Sequence, residues 1–105
     1  MPTEEIDVLK KRFVEILNPK RIYLFGSFAK GTQNEQSDFD FYIVVPDGEE
    51  NKMDLLQKAY RSLRGLKRRS VDIVLDDVST FEKRRQENTL ERIVAKEGIL
   101  VYGLA

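Results

Sequence analysis

The run Asp38–Val45, DFDFYIVV, constrains the fold of this chain more than any other segment. Its aromatic and β-branched residues read as a strand, and Pro46-Asp47-Gly48 ends it by turn chemistry. Residues two apart in a strand project to the same face, so Asp38 and Asp40 point one way while Phe39 and Phe41 point the other. One side of this strand therefore needs an apolar layer, and the other holds two parallel carboxylates. At an effective dielectric of about 20 and a separation of about 7 Å, their repulsion is about 2 kcal/mol. A divalent cation between them makes that cost easier to bear.

The rest of the chain supplies the layers. Thr3 can cap a helix with Glu4 and Glu5 in its first turn, and Ile6, Leu9, Phe13, Ile16 and Leu17 recur at three- and four-residue steps until Asn18-Pro19 stops it. Arg21–Phe25, RIYLF, reads as a buried strand ending at the turn Gly26-Ser27. One helical turn is expected from Phe28 to Lys30, and TQNEQS then reads as a polar loop. A helix is expected from about Met53 to Leu66, with Leu56, Ala59, Tyr60 and Leu63 as its apolar stripe. A strand follows at Ser70–Leu75, and the capping-box spacing of Ser79 and Glu82 predicts a helix to about Glu87. Thr89 caps a further helix through Lys96, with Leu90, Ile93 and Val94 inward, before a last strand from Ile99 to Tyr102. Helices alternating with strands over residues 1–105 imply a single layered α/β domain, a small sheet covered by helices.

Composition narrows the chemistry. Lys plus Arg and Asp plus Glu each number 18, so no global field draws the chain to nucleic acid or to an anionic membrane. Histidine and cysteine are both absent, which excludes thiolate nucleophiles, histidine bases and the usual zinc ligands. No apolar run approaches the length of a membrane span and the N-terminus has no signal-peptide pattern, so a cytoplasmic protein is expected.

The chemistry must then come from carboxylates, hydroxyls, Lys and Arg. Asp72 lies inside the apolar run SVDIVL, and if that strand lies beside the Asp38–Asp40 strand the three acids can converge. Oxygen ligands favour magnesium or manganese, and two such ions would serve an in-line displacement at phosphorus. Gly26-Ser27 is the complementary half, because a glycine after a strand allows close backbone approach and amides at a helix start favour phosphate. Asp76 and Asp77 lie beyond the apolar run and read as the start of a turn. The cluster Lys67, Arg68, Arg69, with Arg61 and Arg64 before it, reads as a solvated helix end, and Lys83, Arg84 and Arg85 are read with the same caution. Tyr23, Tyr42 and Tyr60 read as packing residues, with base stacking by Tyr42 the lesser alternative.

The segment GSFAKGTQNEQSDFD, glycine-serine followed after ten residues by Asp-x-Asp, resembles the minimal nucleotidyltransferases of the DNA polymerase β-like superfamily. The strand before Gly26, the residues Ala29-Lys30-Gly31, Ser37, VDIV around Asp72 and the ending NTLERIVAKEGILVYG extend the likeness over nearly the whole chain. The resemblance implies the nucleotidyltransferase fold, a small mixed sheet of three to four strands flanked by helices. It implies that Asp38 and Asp40 bind metal, two Mg2+ ions or Mn2+, that Asp72 completes the site and helps activate the acceptor hydroxyl, and that Gly26 and Ser27 bind the triphosphate of ATP. Lys30 stands where many members carry arginine, keeping the charge but not the two-pronged phosphate grip.

Members this short are often encoded beside a helical HEPN-type partner, and several act as antitoxins that attach AMP to a tyrosine of that partner. That transfer is the expected function. A contact-only antitoxin and the catalytic half of a two-chain enzyme for small hydroxylated molecules are the alternatives. A membrane role and a nucleic-acid substrate are not expected, and a homo-oligomer is left open.

Overall fold

The computed structural model describes residues 3–48, 51–66 and 69–104. Helix α1 (Thr3–Leu17) buries Ile6, Leu9, Phe13 and Leu17 along one stripe. It closes at Asn18, which takes a left-handed conformation at φ 48 and donates its N–H to the Val14 carbonyl at 3.1 Å. Strand β1 (Arg21–Phe25) leads into the single turn α2 (Ser27–Lys30), then β2 (Phe39–Val45), α3 (Lys52–Ser62), β3 (Val71–Asp77), α4 (Val78–Arg84), α5 (Leu90–Glu97) and β4 (Ile99–Gly103).

The four strands form one mixed sheet in the order β3-β2-β1-β4. β1 runs antiparallel to both β2 and β4, while β2 and β3 are parallel. Alternation along the strands divides the core into two layers. Ile22, Leu24, Phe39, Phe41, Ile43, Val71 and Ile73 face α1 and α3, where Phe13 meets Phe41 edge to face at a centroid distance of 5.4 Å. Tyr23, Tyr42 and Val44 face the other way, against Phe81 of α4 and Val94 of α5. The expected fold, a small mixed sheet between helices, is the one observed.

Boundaries and faces differ from expectation where tertiary contacts decide them. β2 begins at Phe39, leaving Asp38 one residue before it. β3 continues through Asp76 and Asp77 because β2 offers Val44 and Val45 as pairing partners to its end. Asp77 caps α4 by accepting the Thr80 N–H at 2.8 Å, so the expected Ser79–Glu82 capping box does not start this helix. Ser79 instead directs both its N–H and its hydroxyl to the Asp47 carboxylate. Helix α3 ends at Ser62, short of Leu66, and buries Leu55 and Ala59, with its C-cap residue Leu63 buried after them. Tyr60 is exposed, and its hydroxyl accepts the Ile73 N–H at 2.9 Å on the outer strand of the sheet.

On α5 the inward residues are Glu91 and Val94, while Leu90 and Ile93 are exposed. Glu91 is buried because it has partners: the Tyr42 hydroxyl donates to it at 2.6 Å and the Arg84 guanidinium at 2.9 Å. Burial alone would raise the Glu91 carboxyl, but these two bonds, a backbone bond and the charge of Arg84 together outweigh it and hold the carboxyl below its ordinary range. Tyr42 is pushed the opposite way, upward, by burial and by its bond to Glu91.

A depressed carboxyl contributes stability above its unfolded value and loses it as pH falls through the folded value. Thermal melts between pH 7 and pH 3 are therefore expected to fall more steeply for the wild type than for Glu91→Gln. Glu91→Ala, which leaves the buried Tyr42 hydroxyl unpaired, is expected to cost about 1–3 kcal/mol at neutral pH.

Candidate active site

The strand pairings gather the expected site residues at one end of the sheet. In β1 against β2, Phe25 lies opposite Asp40, so the chain leaves β1 at Gly26 beside that acid. In β2 against β3, Asp40 is paired with Asp72. A line across three adjacent strands thus runs from the Gly26 turn through Asp40 to Asp72, on the sheet face that also carries Tyr42 and Val44. Neighbouring strands lie about 4.8 Å apart, so the two acids are close. Asp38, just before β2, completes the group, because the Phe39 N–H bonds the Ser70 carbonyl at 3.0 Å and carries the pairing back toward Asp38.

Gly26 makes this approach feasible. It adopts φ 74 and ψ −149, a conformation that side-chain-bearing residues rarely take. A Cβ at this position would collide with Oδ2 of Asp40. The backbone of the turn therefore lies directly against the central carboxylate. The carbonyl of Gly26 accepts the N–H groups of Ala29 and Lys30, each at 3.1 Å. The amides of Ser27 and Phe28 stand in the open first turn, where a helix has no internal acceptor to offer. Ser27 is half-buried beside them.

Electrostatics record the convergence. The Asp40 carboxyl is raised above its ordinary value by burial first, then by the charges of Asp72 and of Asp38. Asp40 is half-buried, while Asp38 and Asp72 are exposed. The donor set is entirely oxygen, which suits a hard divalent cation, and a positive charge is what this like-charged group lacks. Like charges also favour splayed side chains. Among the described residues no three acidic side chains close to metal-ligand spacing. The residues fit such an ion in the chemistry of their donors, and Asp40 and Asp72 fit it also in their pairing across adjacent strands.

The remaining candidates separate clearly. Lys30 is exposed at the last position of α2. Tyr42 is fully buried and bonded to Glu91, which removes it from base stacking. Asp76 and Asp77 lie at the far end of β3, where Lys52 pairs with them at 2.6 and 3.6 Å. A cavity of about 440 Å³ adjoins that far end, lined by Val45, Pro46, Gly48, Asn51, Lys52, Met53 and Asp77, away from the acids. Of the basic cluster, Lys67 and Arg68 lie outside the described residues, and Arg61 and Arg64 are exposed. Arg69 corrects the expectation of a solvated helix end, since its guanidinium packs against the rings of both Phe28 and Phe39 and bonds the Ser37 carbonyl. Arg84 pairs with Glu91, and Arg85 with Glu82. Nothing local in the sequence marks Arg69 or Glu91, because their partners are distant in the chain.

Comparison with known proteins agrees with this fold. The profile of the nucleotidyltransferase domain family matches residues 6–101. No curated protein matches the chain. Among solved structures, a protein from Sulfolobus solfataricus assigned as a nucleotidyltransferase is 25% identical with a TM-score of 0.60, over 94% of this chain and 83% of that one. A toxin-antitoxin crystallised with AMP-PNP is 26% identical with a TM-score of 0.52, over 99% of this chain and 75% of that one. A variant of the MntA-HpeT toxin-antitoxin is 27% identical with a TM-score of 0.53, over 99% of this chain and 74% of that one. With a family match over nearly its whole length, a four-stranded mixed sheet flanked by helices and relatives of the minimal type, the chain belongs to the nucleotidyltransferase domain family and is a transferase enzyme.

Proposed function

We propose that residues 1–105 form one minimal nucleotidyltransferase domain that transfers AMP from ATP to a tyrosine hydroxyl of a HEPN-type helical partner, and so acts as an antitoxin. The observation that carries this reading is the in-register line from the Gly26 turn through Asp40 to Asp72, with the Asp40 carboxyl raised by burial and then by its two acidic neighbours. Toxin-antitoxin pairs among the similar structures, one of them crystallised with AMP-PNP, support a protein partner and a nucleotide substrate. No helix of the described residues is long and apolar enough to cross a membrane, and we place the reaction in the cytoplasm, where ATP is at hand.

In this reading Asp38, Asp40 and Asp72 hold two magnesium ions, with manganese as a substitute. When bound, the metal supplies positive charge to the α-phosphate and to the departing oxygens. Gly26 and Ser27 hold the outer phosphates through backbone amides and the serine hydroxyl, fixing the nucleotide for in-line attack. The acceptor oxygen forms a bond to the α-phosphorus, the bond from that phosphorus to the bridging α–β oxygen breaks, and pyrophosphate leaves. The acceptor proton passes to Asp72. Asp72 suits that task because it is exposed on β3, an outer strand of the sheet, where a hydroxyl carried by another molecule can reach it.

Incubation with labelled ATP, magnesium and the partner protein is expected to label the partner, and the label should be lost from an Asp38→Ala, Asp40→Ala double variant. Labelling that persists in the double variant would contradict the assignment. Stability offers an independent check, because a carboxyl raised in the folded state costs stability as pH rises through its folded value. Asp40→Asn is expected to melt above the wild type at pH 7 to 8, with the difference closing toward acid pH. Magnesium is expected to raise the melting temperature of the wild type but not of Asp40→Asn.

A further inference from the structure

We infer that Arg69 is a positioning residue that fixes Asp38 against the Ser27 turn and the start of β3. This inference rests on the reading of Asp38 as a metal-binding acid. The guanidinium carbon lies 5.2 Å from the ring centroid of Phe28 and 5.1 Å from that of Phe39. The two rings lie 4.7 Å apart and tilted by 40°. Phe28 is the neighbour of Ser27 and Phe39 the neighbour of Asp38, so one cation holds the residues adjoining both halves of the site. Its Nη1 donates to the Ser37 carbonyl at 3.2 Å. Its Nε is buried without a hydrogen-bond partner, with Glu5 Oε2 nearest in charge at 3.7 Å.

The consequence falls on Asp38. The peptide group before it is held by Arg69 through the Ser37 carbonyl, and the peptide group after it is held by Ser70, whose carbonyl accepts the Phe39 N–H at 3.0 Å. Both of its flanking peptides are thus tied to consecutive residues that lead into Asp72. The segment from Thr32 to Ser37 is polar and lies outside any helix or strand. Its own bonds run within it, as between Asn34 and Ser37, or back to α2, where the Thr32 N–H reaches the Ser27 carbonyl at 3.0 Å. They shape the loop without fixing it to the sheet. An arginine suits the clamp and a lysine does not, because the planar guanidinium offers flat faces to aromatic rings while its edge donates a directed hydrogen bond. The Glu5 pair is long and partly exposed, so it contributes little.

The test uses Arg69→Met, which keeps an apolar stem against the two rings and removes the donor, with Arg69→Lys and Glu5→Gln alongside. Two readouts are made on the full chain: calorimetric affinity for Mn2+ with a non-hydrolysable ATP analogue, and hydrogen exchange of the Phe39 amide without metal. Arg69→Met is expected to exchange faster at Phe39 and to bind Mn2+ about 10- to 100-fold more weakly. Arg69→Lys should lie between it and the wild type, and Glu5→Gln should match the wild type. Wild-type exchange and Mn2+ affinity in a folded Arg69→Met would overturn the inference. If Arg69→Met does not fold, wild-type values in Arg69→Lys would overturn it equally. A wild type that itself binds no Mn2+ would sink the metal reading of Asp38, and Phe39 exchange would then decide the clamp alone.

Discussion

Phe25 sits opposite Asp40, and Asp40 is paired with Asp72, because of the register among β1, β2 and β3. A slip of one residue in either pairing would turn an acid to the other face and set the Gly26 turn against a phenylalanine. The register is held by packing. Phe39, Phe41, Ile43 and Val45 of β2 are all buried on the face covered by α1 and α3, and none can change faces without exposing an aromatic or branched side chain. The acids on the opposite face are thus placed by the hydrophobic residues between them.

The same arrangement sets stability against function. Asp40 is half-buried between two other carboxylates, with its charge disfavoured by burial and by both neighbours. The fold tolerates this cost because the rest of that face is well satisfied: Tyr42 bonds Glu91, and Phe81 stacks on Tyr23 at 5.5 Å and meets Tyr42 edge to face at 5.1 Å. Polar groups on this face that do not belong to the site are paired, as with Arg21, which reaches Glu82 at 3.2 Å and lies over Phe81. Unrelieved charge on this face is concentrated where a cationic ligand would offset it.

How far the sequence shows this depends on the range of the forces involved. The alternation in DFDFYIVV, the glycine after RIYLF and the Thr89 cap are local signals, and each element they mark is present. The apolar run around Asp72 singles that acid out, but its place beside Asp40 follows from a parallel pairing across 32 residues that no local pattern reveals. Misreadings share one cause. Tyr60 and Leu55 both fit a helical stripe, and only contact with the sheet selects Leu55 for the core. Glu91 is buried because Tyr42 bonds it from 49 residues away. Ser79 and Asp77 can both cap a helix, and the side chain of Asp47, 32 residues distant from Ser79, takes the serine. Arg69 resembles its basic neighbours in the sequence until the fold sets it against the rings of Phe28 and Phe39.

The central claim is that Asp38, Asp40 and the Gly26-Ser27 turn form one binding site for metal and triphosphate. A crystal structure with Mn2+ and a non-hydrolysable ATP analogue, with anomalous diffraction recorded to locate manganese, tests it most directly. The account predicts manganese bound by Asp38 and Asp40, with Asp72 within reach of a second ion and the outer phosphates on the amides of the Gly26-Ser27 turn. Nucleotide bound elsewhere, as in the cavity beside Lys52 and Asp77, or manganese bound without these aspartates, would contradict it.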